Sequence, residues 1–116
     1  MTDYIHLDRQ PNVTKIRAEA DGIELRHIHI EKAGTVIPQH SHKFSHMTVV
    51  ACGAIRVELN GVVKGDFVSP SVIDIPAGTK HLFTTLVDDT VIECIHNISR
   101  TGEIEIAEEH QLIGVK

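Results

Sequence analysis

GTVIPQHSHKFSHMTVVACG, residues 34–53, holds His40, His42 and His46 within seven positions, between two glycines. The chain has nine histidines but one tyrosine and no tryptophan, so this density is not the by-product of an aromatic-rich composition. On a strand, His40 and His42 share a face, roughly 6.6 Å apart along the backbone. Pro38 disfavours a helix leading into them. Imidazole is a borderline ligand suited to zinc, copper, iron, nickel and manganese sites. The alternative is a solvated loop of histidines, which is the weaker reading, because a cluster that charges in acid is costly to keep without a use. His42 and His46 also have the spacing of a helical H-E-x-x-H zinc motif, but Lys43 stands where its general base belongs.

Around this stretch the chain reads as short strands separated by turns. GIELRHIHI (22–30) alternates, with Ile23, Leu25, His27 and His29 on one face and Glu24, Arg26, Ile28 and Ile30 on the other. In AIRVELNGVV (54–63), Asn60-Gly61 is a two-residue hairpin signal. It sets Ile55, Val57 and Leu59 opposite Arg56 and Glu58. SVIDIP, HLFTTLV and TVIECIHNIS are β-branched runs of strand length, and TGEIEIAEE alternates again. No long segment has a helical period. The expectation is an all-β sandwich or barrel, a single domain over 1–116.

Composition narrows the partners. The formal net charge is −5 with no basic run, which argues against nucleic acid. No apolar stretch approaches a membrane span and the first residues do not read as a signal peptide, so a cytoplasmic protein is expected. Cys52 and Cys94 are too few for a disulfide framework and are read as reduced thiols, Cys52 as packing.

The stretch also resembles a family. Gly, five residues, H-x-H, three residues, Glu, six residues, Gly is the first motif of the cupins. Gly34, His40, His42, position 46 and Gly53 fall at each of those spacings, with His at position 46 in place of Glu. The second cupin motif ends P-x-G, two residues, His, three residues, Asn. Pro76, Gly78 and His81 match it, Thr85 replaces Asn, and Pro70 stands at its opening glycine. The resemblance covers about residues 22–98. It implies a small antiparallel β-barrel, or jelly roll, flanked by N- and C-terminal strands. It also implies one divalent transition metal per chain on His40, His42, His46 and His81. The histidine at position 46 makes the chain similar to the four-histidine cupins, in which manganese or iron is favoured over nickel, copper or zinc.

Four neutral ligands leave a divalent ion its full formal charge, which raises its reduction potential and makes bound water more acidic. Strand parity then suggests the pocket. With His46 inward, Thr48 and Val50 follow. With His81 inward, Phe83 and Thr85 follow. Phe44 is a candidate for the mouth. Cys94 and His96 share a strand face; a Cys-His nucleophile is less expected than packing or a supporting place beside the site. His27 and His29 either line the barrel or sit at an interface. No arginine or lysine is expected inside, so a neutral or apolar small molecule, or dioxygen, suits the interior.

The leading expectation is a metal-dependent oxygenase, a dioxygenase cleaving a carbon–carbon bond of a small organic substrate. A non-redox isomerase, lyase or hydrolase is the alternative, as is a non-catalytic module that binds a metal or ligand. The apolar alternation at both ends favours a homodimer.

Overall fold

The computed structural model describes residues 4–38 and 46–97. All elements among the described residues are strands: β1 Tyr4–Arg9, β2 Val13–Ala20, β3 Ile23–Ile30, β4 Val36–Pro38, β5 His46–Cys52, β6 Ala54–Leu59, β7 Val62–Val68, β8 Ser71–Ile75, β9 His81–Thr85 and β10 Thr90–Asn97. Every pairing is antiparallel. One sheet has six strands in the order β1-β2-β3-β10-β5-β8, and the second has four in the order β4-β9-β6-β7. The chain crosses repeatedly between the sheets, which gives the sandwich expected from the strand spacing and the jelly roll that the motif resemblance implies. No helix among the described residues is long and apolar enough to cross a membrane. The TGEIEIAEE alternation lies outside the described residues.

The turns follow from residues that tolerate left-handed backbone. Asn60 (φ 52°) and Gly61 (φ 80°) join β6 to β7 as a two-residue hairpin. Asp21 (φ 52°) and Gly22 (φ 76°) do the same between β2 and β3. Gly53 is required twice over. Its φ is +83°, and a Cβ there would meet Thr90 Oγ1 at 2.5 Å and Thr90 Cα at 2.9 Å. The second motif glycine therefore marks where the β5–β6 link presses on the start of β10.

The two sheets close on an apolar core of Ile28, Ile30, Ile37, Val50, Ile55, Val57, Ile73, Ile75, Phe83 and Ile92. The parity read from sequence holds on three strands. His46, Thr48 and Val50 are buried on β5; Ile55 and Val57 on β6; His81, Phe83 and Thr85 on β9. On β3 the inner face is Glu24, Arg26, Ile28 and Ile30. Ile23, Leu25, His27 and His29 point away from the core. His27 and His29 thus do not line the barrel: His27 Nδ1 lies 2.8 Å from Glu93 Oε2 and His29 Nε2 lies 3.1 Å from Asp89 Oδ1. Cys52, expected as packing, is exposed at the end of β5.

Candidate metal centre

His46 opens β5 and His81 opens β9, so the two come from different sheets. His81 is delivered by the Pro76–Gly78 turn, where Thr79 N bonds back to Pro76 O at 3.3 Å. The rings meet inside the barrel, edge to face, with centroids 5.2 Å apart. His81 Nδ1 lies 3.4 Å from Thr79 O. A proton on Nδ1 donating to that carbonyl leaves the Nε2 lone pair directed elsewhere. Phe83 follows on the same face, its ring centroid 5.4 Å from that of His81.

Burial makes both imidazoles neutral. His46 is 5% exposed, and desolvation pushes its pKa down to about 3, helped by the rings of His81 and His96 and by the charge of Arg26. Burial lowers His81 as well, with the Thr79 carbonyl opposing. Two buried, neutral imidazoles facing each other fit a borderline divalent cation, which needs deprotonated nitrogen donors. Among the described residues no cluster of three or more metal-binding side chains occurs. His40, His42 and Phe44 lie outside the described residues.

The depressed His46 value has a consequence for the metal-free chain. Unfolded, this imidazole takes a proton near pH 6.5; folded, only near 3. Between those limits the unfolded state binds more protons, so stability falls as pH drops through 6.5 towards 3. At pH 4.5 His46 alone should remove about 2 kcal/mol. Urea midpoints of metal-free protein at pH 7 and 4.5 measure this, and His46→Gln should flatten the slope.

Beyond the histidine pair, the strand register lays out the rest of the floor. Cys94 on β10 stands between Thr48 on β5 and Arg26 on β3, and Arg26 pairs in turn with Arg17 on β2. Thr48 Oγ1 and Cys94 Sγ are 3.5 Å apart. Burial raises the Cys94 pKa, so it remains a thiol and the Cys94–His96 pair lacks an activated nucleophile. His96 pairs with Glu24 across the β10–β3 ladder, and its Nδ1 lies 3.7 Å from Glu24 Oε1. Desolvation lowers the His96 pKa against the pull of Glu24, so this contact joins a neutral ring to a carboxylate and is not an ion pair.

The expectation of an interior without arginine or lysine also fails. Arg26 is 2% exposed and Lys15 is 7% exposed, both on the inner face. Arg26 Nη2 lies 2.9 Å from Glu24 Oε1, and Glu24, fully buried, also accepts from Arg17 Nε. The available signal was the β3 alternation, which already grouped Glu24 and Arg26 with Ile28 and Ile30. Ile23 and Leu25 on the opposite face hid which side was the core.

No family model matches the chain, and no curated protein matches it in sequence. Solved structures do match in shape. KdgF from Halomonas sp. superposes with a TM-score of 0.68 at 18% identity, covering 82% of this chain and 86% of that one. An RmlC-like cupin from Shewanella frigidimarina NCIMB 400 gives 0.66 at 17% identity, covering 84% and 86%. A variant of oxalate decarboxylase from Bacillus subtilis, an enzyme with Mn(II) centres, gives 0.71 at 13% identity. That match covers 87% of this chain but 29% of the decarboxylase. At these identities the likeness is one of fold, and the fold of this chain is the cupin jelly roll.

Proposed function

We propose that the protein is a metal-dependent enzyme, with a divalent transition metal, manganese or iron first, held by His40, His42, His46 and His81. The observation that carries this reading is the meeting of His46 and His81 from opposite sheets as buried, neutral imidazoles 5.2 Å apart. Within it, the leading activity is that of an oxygenase cleaving a carbon–carbon bond of a small organic substrate. Neutral donors support it, because they leave the ion its full charge and favour its reduced state. When bound, the ion would supply open coordination positions and Lewis acidity. The chain's own residues shape the rest: Phe83 and Ile75 exclude water, and Thr48 offers a buried hydroxyl on the same floor.

The interior polar row supports a second reading. Glu24, Arg26 and His96 are groups that bind charge and hold protons, which suits an isomerase, lyase or hydrolase using the ion as a Lewis acid. Elemental analysis of the purified protein, then oxygen uptake with that metal restored, separates the readings. The oxygenase consumes oxygen only when loaded; the non-redox enzyme turns over anaerobically and tolerates zinc. A chain that takes up no transition metal at neutral pH overturns both.

Two further features support the setting. Both cysteines are free thiols, in keeping with a reducing cytoplasm. The outer face of the six-stranded sheet carries Ile5, Leu7, Ile23 and Met47, 43–77% exposed, as a second copy of the chain would require. A sedimentation mass of one chain at micromolar concentration would count against that homodimer.

A further inference from the structure

The outer face of the six-stranded sheet has an internal order that exposure alone does not reveal. Followed in register across β1, β2, β3, β10, β5 and β8, one row reads Ile5, Ala18, Leu25, Ile95, Met47 and Asp74. The next reads Leu7, Ile16, His27, Glu93, Val49 and Val72. The row after that is mostly polar, with Arg9, Thr14 and His29 leading to Val91 and Cys52. These side chains alternate with the buried ones and so point away from the core.

One polar pair interrupts the apolar area, and it stands at the centre. His27 and Glu93 are register partners on β3 and β10, the third and fourth of the six strands. His27 Nδ1 lies 2.8 Å from Glu93 Oε2, and both side chains are part-exposed. Among the described residues His27 Nε2 and Glu93 Oε1 meet no further group. One donor or acceptor on each residue is therefore turned outward, in the middle of a face whose flanks are aliphatic.

The rows are self-complementary about the line between β3 and β10. A two-fold axis along that line, parallel to the strands, lays β3 of one copy over β10 of the other. His27 then meets the partner's Glu93, Leu25 meets Ile95, Ile16 meets Val49 and Leu7 meets Val72. Within the two rows only Ile5 against Asp74, at the sheet edge, joins unlike groups. An axis running across the strands sets His27 on His27 and Glu93 on Glu93, and lays the apolar first row on the polar third. Charge and hydropathy thus select the same axis.

We infer that two copies of the chain stack these faces about a two-fold axis parallel to the strands, with His27 of each copy on Glu93 of the other. This rests on the homodimer of the proposed function and specifies how its copies meet. From strand and residue spacings the face measures about 700 Å2, close to the roughly 800 Å2 that each partner gives a standard interface. Stacked sheets lie about 10 Å apart, a gap that side chains from both sides fill. The apolar rows supply affinity, and the two reciprocal His–Glu contacts fix the register. The contact uses the side of β5 opposite His46, so it forms with or without metal.

Sedimentation of the full chain at micromolar concentration should give a mass of two chains. Glu93→Lys opposes two donors across the axis and His27→Glu opposes two carboxylates. Each should weaken the dimer at least about tenfold. In an equimolar mixture every donor faces a carboxylate again, and a dimer of one chain of each variant should form although each chain keeps its internal mismatch. A second measurement reads the axis without touching the pair. Ile16→Cys and Val49→Cys chains, each also carrying Cys52→Ser and with Cys94 buried, should be joined to one another by a short bismaleimide in preference to themselves. A one-chain mass for the parent overturns the homodimer and this contact together. A two-chain mass with both charge variants undiminished, no mixed dimer, or Ile16→Cys chains joined mainly to themselves overturns the contact and leaves the homodimer standing.

Discussion

Replacing Phe83 by alanine should lower the unfolding free energy by about 3–5 kcal/mol, a large share of what a domain this size has. Phe83 is fully buried on β9, flanked in register by Ile37 on β4 and Val57 on β6. Deleting the ring removes apolar burial and leaves a cavity, because a β-sheet floor fixed by ladders on both sides cannot collapse into it. The ring also stands beside His81, so the cavity gives that imidazole room to tilt. Phe83→Leu, closer in volume, should cost less than about 1.5 kcal/mol. Urea denaturation of the metal-free protein measures both. A loss under about 1 kcal/mol for the alanine variant would mean that Phe83 does not fill the core as described.

At His46 the expected effect is on the metal. His46→Ala should weaken metal affinity about ten- to hundred-fold or more, since even residues that only support a ligand reach that range. His46→Glu restores the residue that the commoner cupin motif carries at this spacing. It should keep the metal while lowering its reduction potential and raising the pKa of bound water. The structure adds a condition. Position 46 is 5% exposed, so a carboxylate there is costly until a cation compensates it. Arg26, whose charge reaches this position, offsets only part of that cost. His46→Glu should therefore be less stable than the parent without metal and regain most of the difference when loaded. Metal content, the potential of the bound ion and melting temperature with and without metal test these statements together. Variants that match the parent in all three would remove His46 from the ligand set.

Much of this interior is legible in the sequence. The period-2 pattern placed His46, Thr48 and Val50 on one side of β5, and His81, Phe83 and Thr85 on one side of β9, because an inward histidine fixes the parity of its strand. Asn60-Gly61 declared its hairpin through the backbone it tolerates. The inner face of β3 was not readable. Both faces of that strand carry two aliphatic residues, Ile23 and Leu25 against Ile28 and Ile30, so hydrophobicity could not choose between them. What lets Glu24 and Arg26 go inward is compensation by Arg17 on β2 and the neighbourhood of His96 on β10, and pairings between strands are not written in a single strand's pattern. β1 and β2 mislead for a related reason. Their inner positions include His6, Asp8, Lys15 and Arg17, while Ile5, Leu7 and Ile16 lie on the outer face, so the apolar alternation of the N-terminal stretch marks the side away from the core. His40 and His42, outside the described residues, rest on their spacing and the motif, and Phe44 on its place between them and His46.

The barrel interior is divided along its length. On β3, β5 and β10, one end holds Glu24, Arg26, His46, Thr48, Cys94 and His96, and the other holds Ile28, Ile30, Val50 and Ile92. Cohesion and chemistry therefore draw on separate residues. The aliphatic end works as a keel that holds the sheets together whatever the polar end contains. Substitutions at the polar end that conserve charge balance should add almost independently to changes made in the keel. Recognition could be rewritten on this scaffold in one place and robustness in another, with Phe83, in contact with His81, as the hinge pin where the two freedoms meet.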